Sequence, residues 1–107
     1  DVWAQRDEVT CIHPGWEPLF GREEVMASWA AILANEESPE IACCDAEAVV
    51  NGTTAFVICY EDLMGQYLIA TNVFVKEGSL WRMAHHQAGP TNGKPSAEAQ
   101  GEKDIIH

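Results

Sequence analysis

At 107 residues and a net charge of −11, the chain is long enough for one core and too acidic for a phosphate-backbone partner, because six Lys and Arg cannot make a basic groove. Hydrophobic residues make up 47% of it, with four Trp, three Phe and two Tyr, the composition of a globular domain and not of a disordered one. No apolar run is long enough to span a bilayer, and Asp1-Val2-Trp3 lacks the start of a signal peptide. No nucleic acid and no membrane are therefore expected as partners. The acidity reads as solubility or as adaptation to an acid-rich proteome, with a cationic partner as the other option.

Cys11, Cys43, Cys44 and Cys59 fit neither a paired metal-binding spacing nor a redox motif. They sit in strand-like apolar runs, where small buried hydrophobes are expected, and free thiols fit a reducing cytoplasm.

In chain order, Asp1–Glu8 places Val2 and Trp3 on what reads as the end of a helix too short to stand alone. The expectation is an upstream helix that is missing here or supplied by another part of an assembly. Val9–His13 alternates as a short strand, closed by the turn Pro14-Gly15 and followed by Trp16. Glu17–Gly21 reads as a loop. Glu23 and Glu24 favour a helix start, and Val25, Met26, Trp29, Ile32 and Leu33 recur at helical spacing, predicting a helix over 22–34.

After a break at Asn35–Pro39 the period changes to that of strands. Four are predicted: 40–50, 53–61, 66–76 and 80–88, separated by Asn51-Gly52, Asp62–Gly65 and Glu77-Gly78-Ser79. A two-residue turn at Gly78-Ser79 would pair Phe74 with Met83 and Asn72 with His85. Residues 91–107, rich in Gly, Pro, Ser, Glu and Lys, read as a mobile tail or one that lies along a neighbour, beyond a domain at 1–90.

The last strand, Trp81-Arg82-Met83-Ala84-His85-His86-Gln87, carries the sharpest expectation. Strict alternation puts Trp81, Met83, His85 and Gln87 on one face, and the Trp and Met make that face the inner one. His85 then points to the interior and His86 to the outer face or an interface. Adjacent histidines on a regular strand cannot chelate one ion, so no metal site is expected, and no cofactor motif is present.

The block Cys11-Ile12-His13-Pro14-Gly15-Trp16, then Gly21-Arg22-Glu23 through Trp29, Ala70-Thr71-Asn72-Val73-Phe74, and Trp81-Arg82 with His85-His86-Gln87 resembles the SnoaL-like, ketosteroid-isomerase-like branch of the nuclear-transport-factor-2-like superfamily. The resemblance covers roughly residues 1–90. It implies an α+β fold, a conical and strongly curved antiparallel sheet packed on N-terminal helices, with a pocket inside the cone and a homodimer across the outer sheet faces.

Ketosteroid isomerase sets a carboxylate base against acid groups in an apolar cavity, but its catalytic residues do not map onto this chain by motif. The groups available for such work are His85, Asn72 and His13 as catalytic candidates, with Glu61 in reserve. Trp16, Trp29, Phe56, Tyr60, Phe74 and Met83 are the candidate ligand wall. Each has a plainer role: His13 in loop hydrogen bonds, Asn72 as partner to His85, the aromatics as core. Two functions are in view. One is a domain that binds a small apolar ligand, with isomerase-, cyclase- or dehydratase-like chemistry. The other is a non-enzymatic dimerisation or assembly module with a filled cone.

Overall fold

The computed structural model describes residues 2–34, 42–63, 65–95 and 104–105. Strands β1 (Thr10–Ile12) and β2 (Leu19–Phe20) precede helix α1 (Arg22–Ala34). After it come β3 (Ala42–Asn51), β4 (Thr54–Leu63), β5 (Gln66–Glu77), β6 (Leu80–Pro90) and β7 (Asp104–Ile105). They form one sheet in the order β2-β1-β6-β5-β4-β3-β7. Neighbours are antiparallel apart from β1 and β6, which run parallel. The long meander β3–β6 follows the sequence expectation, with each predicted strand lying inside or within two residues of the observed one. The expected break at Asn35–Pro39 lies outside the described residues.

Three local expectations change. Glu17–Gly21 contains β2, which pairs with β1. The start of the chain is extended rather than helical: Trp3 bridges Met83 in parallel, with Ala4 N donating to Met83 O at 2.8 Å and Met83 N to Val2 O at 2.7 Å. In the region read as a tail, Asp104–Ile105 pairs with Ala42–Cys43 of the same chain. The remainder of that region beyond Pro95 is outside the described residues.

The start of α1 shows how the chain ties itself together. Gly21 adopts φ 92°, a left-handed conformation that suits glycine, and the Asp7 carboxylate accepts from Arg22 N at 3.3 Å. Glu24 reaches back to accept from Phe20 N at 3.1 Å, tying the first turn of the helix to the end of β2. Arg22 Nη1 donates to Ala4 O at 2.7 Å, fastening the N-terminal segment to the helix.

Two bulges shape the sheet. One lies between Cys44 and Glu47 on β3, where Asp45 has φ 55°. The other lies on β6, where Phe74 pairs with Met83 but Val73 pairs with His85, leaving Ala84 unopposed. This is the point at which the edge partner of β6 changes from the N-terminal segment at Met83 to β1 at His85. An inserted residue bends its strand and reverses the alternation beyond it.

The core has two parts. Trp3, Ala4, Val9, Cys11 and Val25 pack beneath α1, with Met26, Trp29 and Met83 against them; Cys59, Ala70 and Ala88 form a second, small-residue cluster across β4–β6.

Candidate functional site

The concave face of the sheet and α1 border a half-open cavity of about 730 Å³, so the cone is not packed solid. Phe74, Met83 and Trp29 line it as expected, and Asn72 faces into it. They are joined by side chains that the sequence did not single out for this role: Trp3, Cys43, Val57 and above all His86.

The exchange of His85 for His86 is the main correction, and the Ala84 bulge is its cause. The hairpin register holds as far as Phe74 with Met83, then slips by one, so Asn72 lies opposite His86 instead of His85. His86 is 4% exposed on the cavity wall. His85 turns to the other face, where its Nδ1 is 2.5 Å from Thr10 Oγ1. Burial lowers the pKa of His85, against the opposing effect of a hydrogen bond with the Thr10 backbone.

His86 Nδ1 lies 2.5 Å from Asn72 Oδ1. An amide oxygen only accepts, so the imidazole donates from Nδ1 and its Nε2 is left with a lone pair. Burial, reinforced by the nearby His13 and His85, pushes the His86 pKa down to about 4. The ring is therefore neutral at physiological pH, held in one tautomer by a buried partner.

His13 is buried one layer away. Its Nε2 is 2.9 Å from Ser28 Oγ, whose hydroxyl donates to Val25 O at 2.7 Å, so Nε2 is the donor to Ser28. Its ring meets Trp16 and Trp29 edge-on at 4.7 and 4.8 Å, and Trp29 meets His86 at 5.5 Å. Trp29 thus separates the two histidines. Burial lowers the pKa of His13, and burial likewise pushes the Cys11 thiol, 3.6 Å from His13 Nε2, up to about 11.

Trp16 is 48% exposed and sits outside the cavity against His13. Phe56 and Tyr60 belong to the opposite face. Along β4 the lining residue Val57 shares its side with Cys59 and Glu61, which alternation denies to Phe56 and Tyr60. Phe56 is accordingly 40% exposed, while Tyr60 meets Tyr67 at 6.5 Å and lies close against Gly93. Among the described residues no cluster of three or more His, Cys, Asp or Glu side chains is arranged to hold a metal ion.

A family model described as a SnoaL-like domain matches residues 1–91. The chain belongs to that family. Among solved structures, the SnoaL-like domain is 40% identical to a proposed dehydratase of the nuclear-transport-factor-2-like family from Streptomyces avermitilis, with a TM-score of 0.71 over 79% of this chain and 67% of that one. It is 31% identical to a proposed calcium/calmodulin-dependent protein kinase type II association domain from Thiobacillus denitrificans, with a TM-score of 0.75 over 85% and 78% of the two chains. It is also similar to the F-box protein SKIP8 of Arabidopsis thaliana, 28% identical over 89 residues that make up 81% of this chain and 38% of that relative. The chain thus spans well under half of that protein. Fold and superfamily follow the resemblance drawn from the sequence: an α+β cone of the nuclear-transport-factor-2-like type. Among the described residues no helix is long and apolar enough to cross a membrane.

Proposed function

We propose that the SnoaL-like domain takes a small, largely apolar organic molecule into its cone and presents His86 Nε2 to it as a proton acceptor. The observation that carries this reading is the His86–Asn72 pair on the cavity wall: a base oriented by a buried partner, facing an enclosure of Trp29, Phe74 and Met83. Asn72 fixes the tautomer, and the wall around it is largely apolar. An imidazole held at a pKa of about 4 is a weak base in the empty domain. A negative charge developing on a ligand beside it would raise that value at the moment of proton transfer. Chemistry of this kind, removal of a proton next to a carbonyl or a leaving hydroxyl, is isomerase-, cyclase- or dehydratase-like. The 40% identical relative named as a proposed dehydratase supports it.

A second reading has its own support. On the convex face Val49 and Phe56 pair with each other and are 61% and 40% exposed, and Ile58 beside them is 47% exposed. This apolar patch suits a homodimer across the outer sheet faces, and the relative named as an association domain points the same way. The two readings use opposite faces and are compatible. A cytoplasmic location, in keeping with four reduced thiols, belongs to the same proposal.

A thermal-shift screen against apolar carbonyl and hydroxyl compounds tests the pocket. A ligand that binds only the native state raises the melting temperature, and the shift should vanish in His86→Ala while surviving in His85→Ala. Equal loss in both variants, or in neither, would remove His86 from the site. Sedimentation of Ile58→Glu tests the outer face, where a dimer should dissociate without loss of ligand binding.

A further inference from the structure

The four cysteines are all thiols, and they stand in different places. Cys11 is fully buried in the core beneath α1. Cys44, paired with Tyr60, is buried on the side of β3 away from the cavity, and its Sγ donates to Tyr60 O at 3.7 Å. Cys43 and Cys59 come together on the concave face. Cys43 pairs with Glu61, which shares its side of β4 with Cys59 two positions back. Cys43 packs against the small-residue cluster that contains Cys59, and the two thiols are hydrogen-bonded to each other. Of the pair, Cys43 lines the cavity and is half-buried, while Cys59 is buried behind it.

The β3 bulge shapes this contact. Cys44 pairs with Tyr60 and Glu47 with Ile58, so Cys59 faces the interruption at Asp45 and Ala46 instead of a single cross-strand partner. On a regular ladder, diagonal neighbours stand about 7–8 Å apart at Cα, at the edge of what a disulfide spans. A bulge tightens the local twist, and here the two thiols already meet. The hydrogen bond to Cys43 and then burial push the Cys59 pKa up, so Cys59 holds its proton and is the donor of the pair. Cys43 is then the accepting sulfur, whose ionised form that bond favours. An accessible sulfur with a protonated thiol packed behind it is the arrangement in which the second can displace what the first acquires.

We propose that Cys43 and Cys59 are a redox-active pair, in which a peroxide admitted by the cavity oxidises Cys43 and Cys59 resolves it to a disulfide between β3 and β4. In the first step the Cys43 sulfur attacks one peroxide oxygen, the O–O bond breaks, and the thiol proton leaves with the other oxygen as water. In the second the Cys59 sulfur attacks the Cys43 sulfenic acid, the S–O bond breaks, and the hydroxyl departs with the Cys59 proton as a second water. Two thiols lose two electrons and one peroxide gains them. The bond takes the Cys43 thiol out of the cavity wall, so oxidation changes the surface that a ligand meets. The pair acts independently of His86 and needs only that peroxide enter the cavity.

Treatment of the purified full chain with hydrogen peroxide at neutral pH tests it, followed by alkylation of the remaining thiols in denaturant and mass spectrometry of the intact monomer. Wild type should lose two hydrogens, keep two of its four thiols for alkylation, and recover all four after dithiothreitol. Fragmentation of the digested product should join the segment holding Cys43 and Cys44 to the one holding Cys59. The link should form in Cys44→Ser as in wild type and be absent from Cys43→Ser. In Cys59→Ala, Cys43 should stop at the sulfenic acid, which dimedone traps. The wild-type mass and the fragment assignment do not depend on any variant folding. A treated monomer without an internal link, a link to Cys11, or a link that Cys44→Ser abolishes and Cys43→Ser does not would overturn the proposal.

Discussion

The concave face of the sheet holds a buried titratable group toward each end, His86 on the cavity wall and Glu61 outside the cavity lining, under opposite conditions. At one end His86 is paired with Asn72, both are buried, and the imidazole is fixed as the neutral Nδ1–H tautomer. At the other Glu61 is equally buried, and its Oε2 has no partner. Burial drives both toward their uncharged forms, one pKa down to about 4 and the other up to about 7. The difference lies in pairing. A satisfied buried polar group adds rigidity and orientation, whereas an unsatisfied one lowers stability.

The largest effect that would break this contrast comes from Asn72→Leu, which leaves the His86 Nδ1–H buried without an acceptor. A loss of about 2–3 kcal/mol in urea unfolding is expected, together with loss of ligand binding. An unchanged midpoint would mean that the pair is incidental. Glu61→Leu should act in the opposite direction. Removing an unpaired buried carboxyl should stabilise the fold by about 1–2 kcal/mol at pH 8, seen as a rise in melting temperature.

A third test uses pH, because the two groups carry opposite signs. His86 stays neutral in the folded state down to about 4, while its unfolded counterpart takes up a proton below 6.5, so stability falls on acidification from about 6.5 to 4. Glu61 keeps a proton in the folded state that the unfolded chain releases above 4.5, so its contribution is complete below 4.5 and is lost as pH rises through about 7. Between 4.5 and 6.5 the two slopes oppose each other. Glu61→Gln should therefore steepen the acid loss relative to wild type by about 1.4 kcal/mol per pH unit, and His86→Asn should reduce it. His13 and His85, whose pKa values are also lowered, are present in all three proteins, contribute with the same sign as His86 does, and largely cancel in the differences. Identical profiles would mean that burial of these groups does not control their protonation.

The smallest effect is the sharpest control. His85→Ala loses a contact to Thr10 on the outer side of the bulge and should cost no more than about 1 kcal/mol, with ligand binding unchanged.

Much of the cone was legible because it depends on local periodicity. The apolar spacing from Val25 to Leu33 marks the helix; the Gly78-Ser79 turn sets the hairpin that carries Phe74 onto Met83, while the turn expected at Asn51-Gly52 falls one residue later, at Gly52-Thr53. Candidates resting on alternation within one strand were divided by which face was taken as inner. Phe74, Met83 and Asn72 fell on the cavity side; Phe56 and Tyr60 did not, because β4 turns Val57 and Glu61 inward.

What the sequence by itself determined is the class of fold, the helix, the strand meander, and the presence of histidines, an asparagine and aromatic walls near one another. Which histidine meets Asn72 was decided only in the tertiary structure. The Ala84 bulge forms where one strand must satisfy the N-terminal segment at Met83 and β1 at His85, and that pairing joins residues about eighty positions apart in the chain. Alternation is a property of a strand, whereas its interruption belongs to the neighbours the strand acquires. The same holds for Glu61, an ordinary charged residue near a hairpin when read along the chain, which becomes a buried acid only once β3 and β5 pair on either side of it.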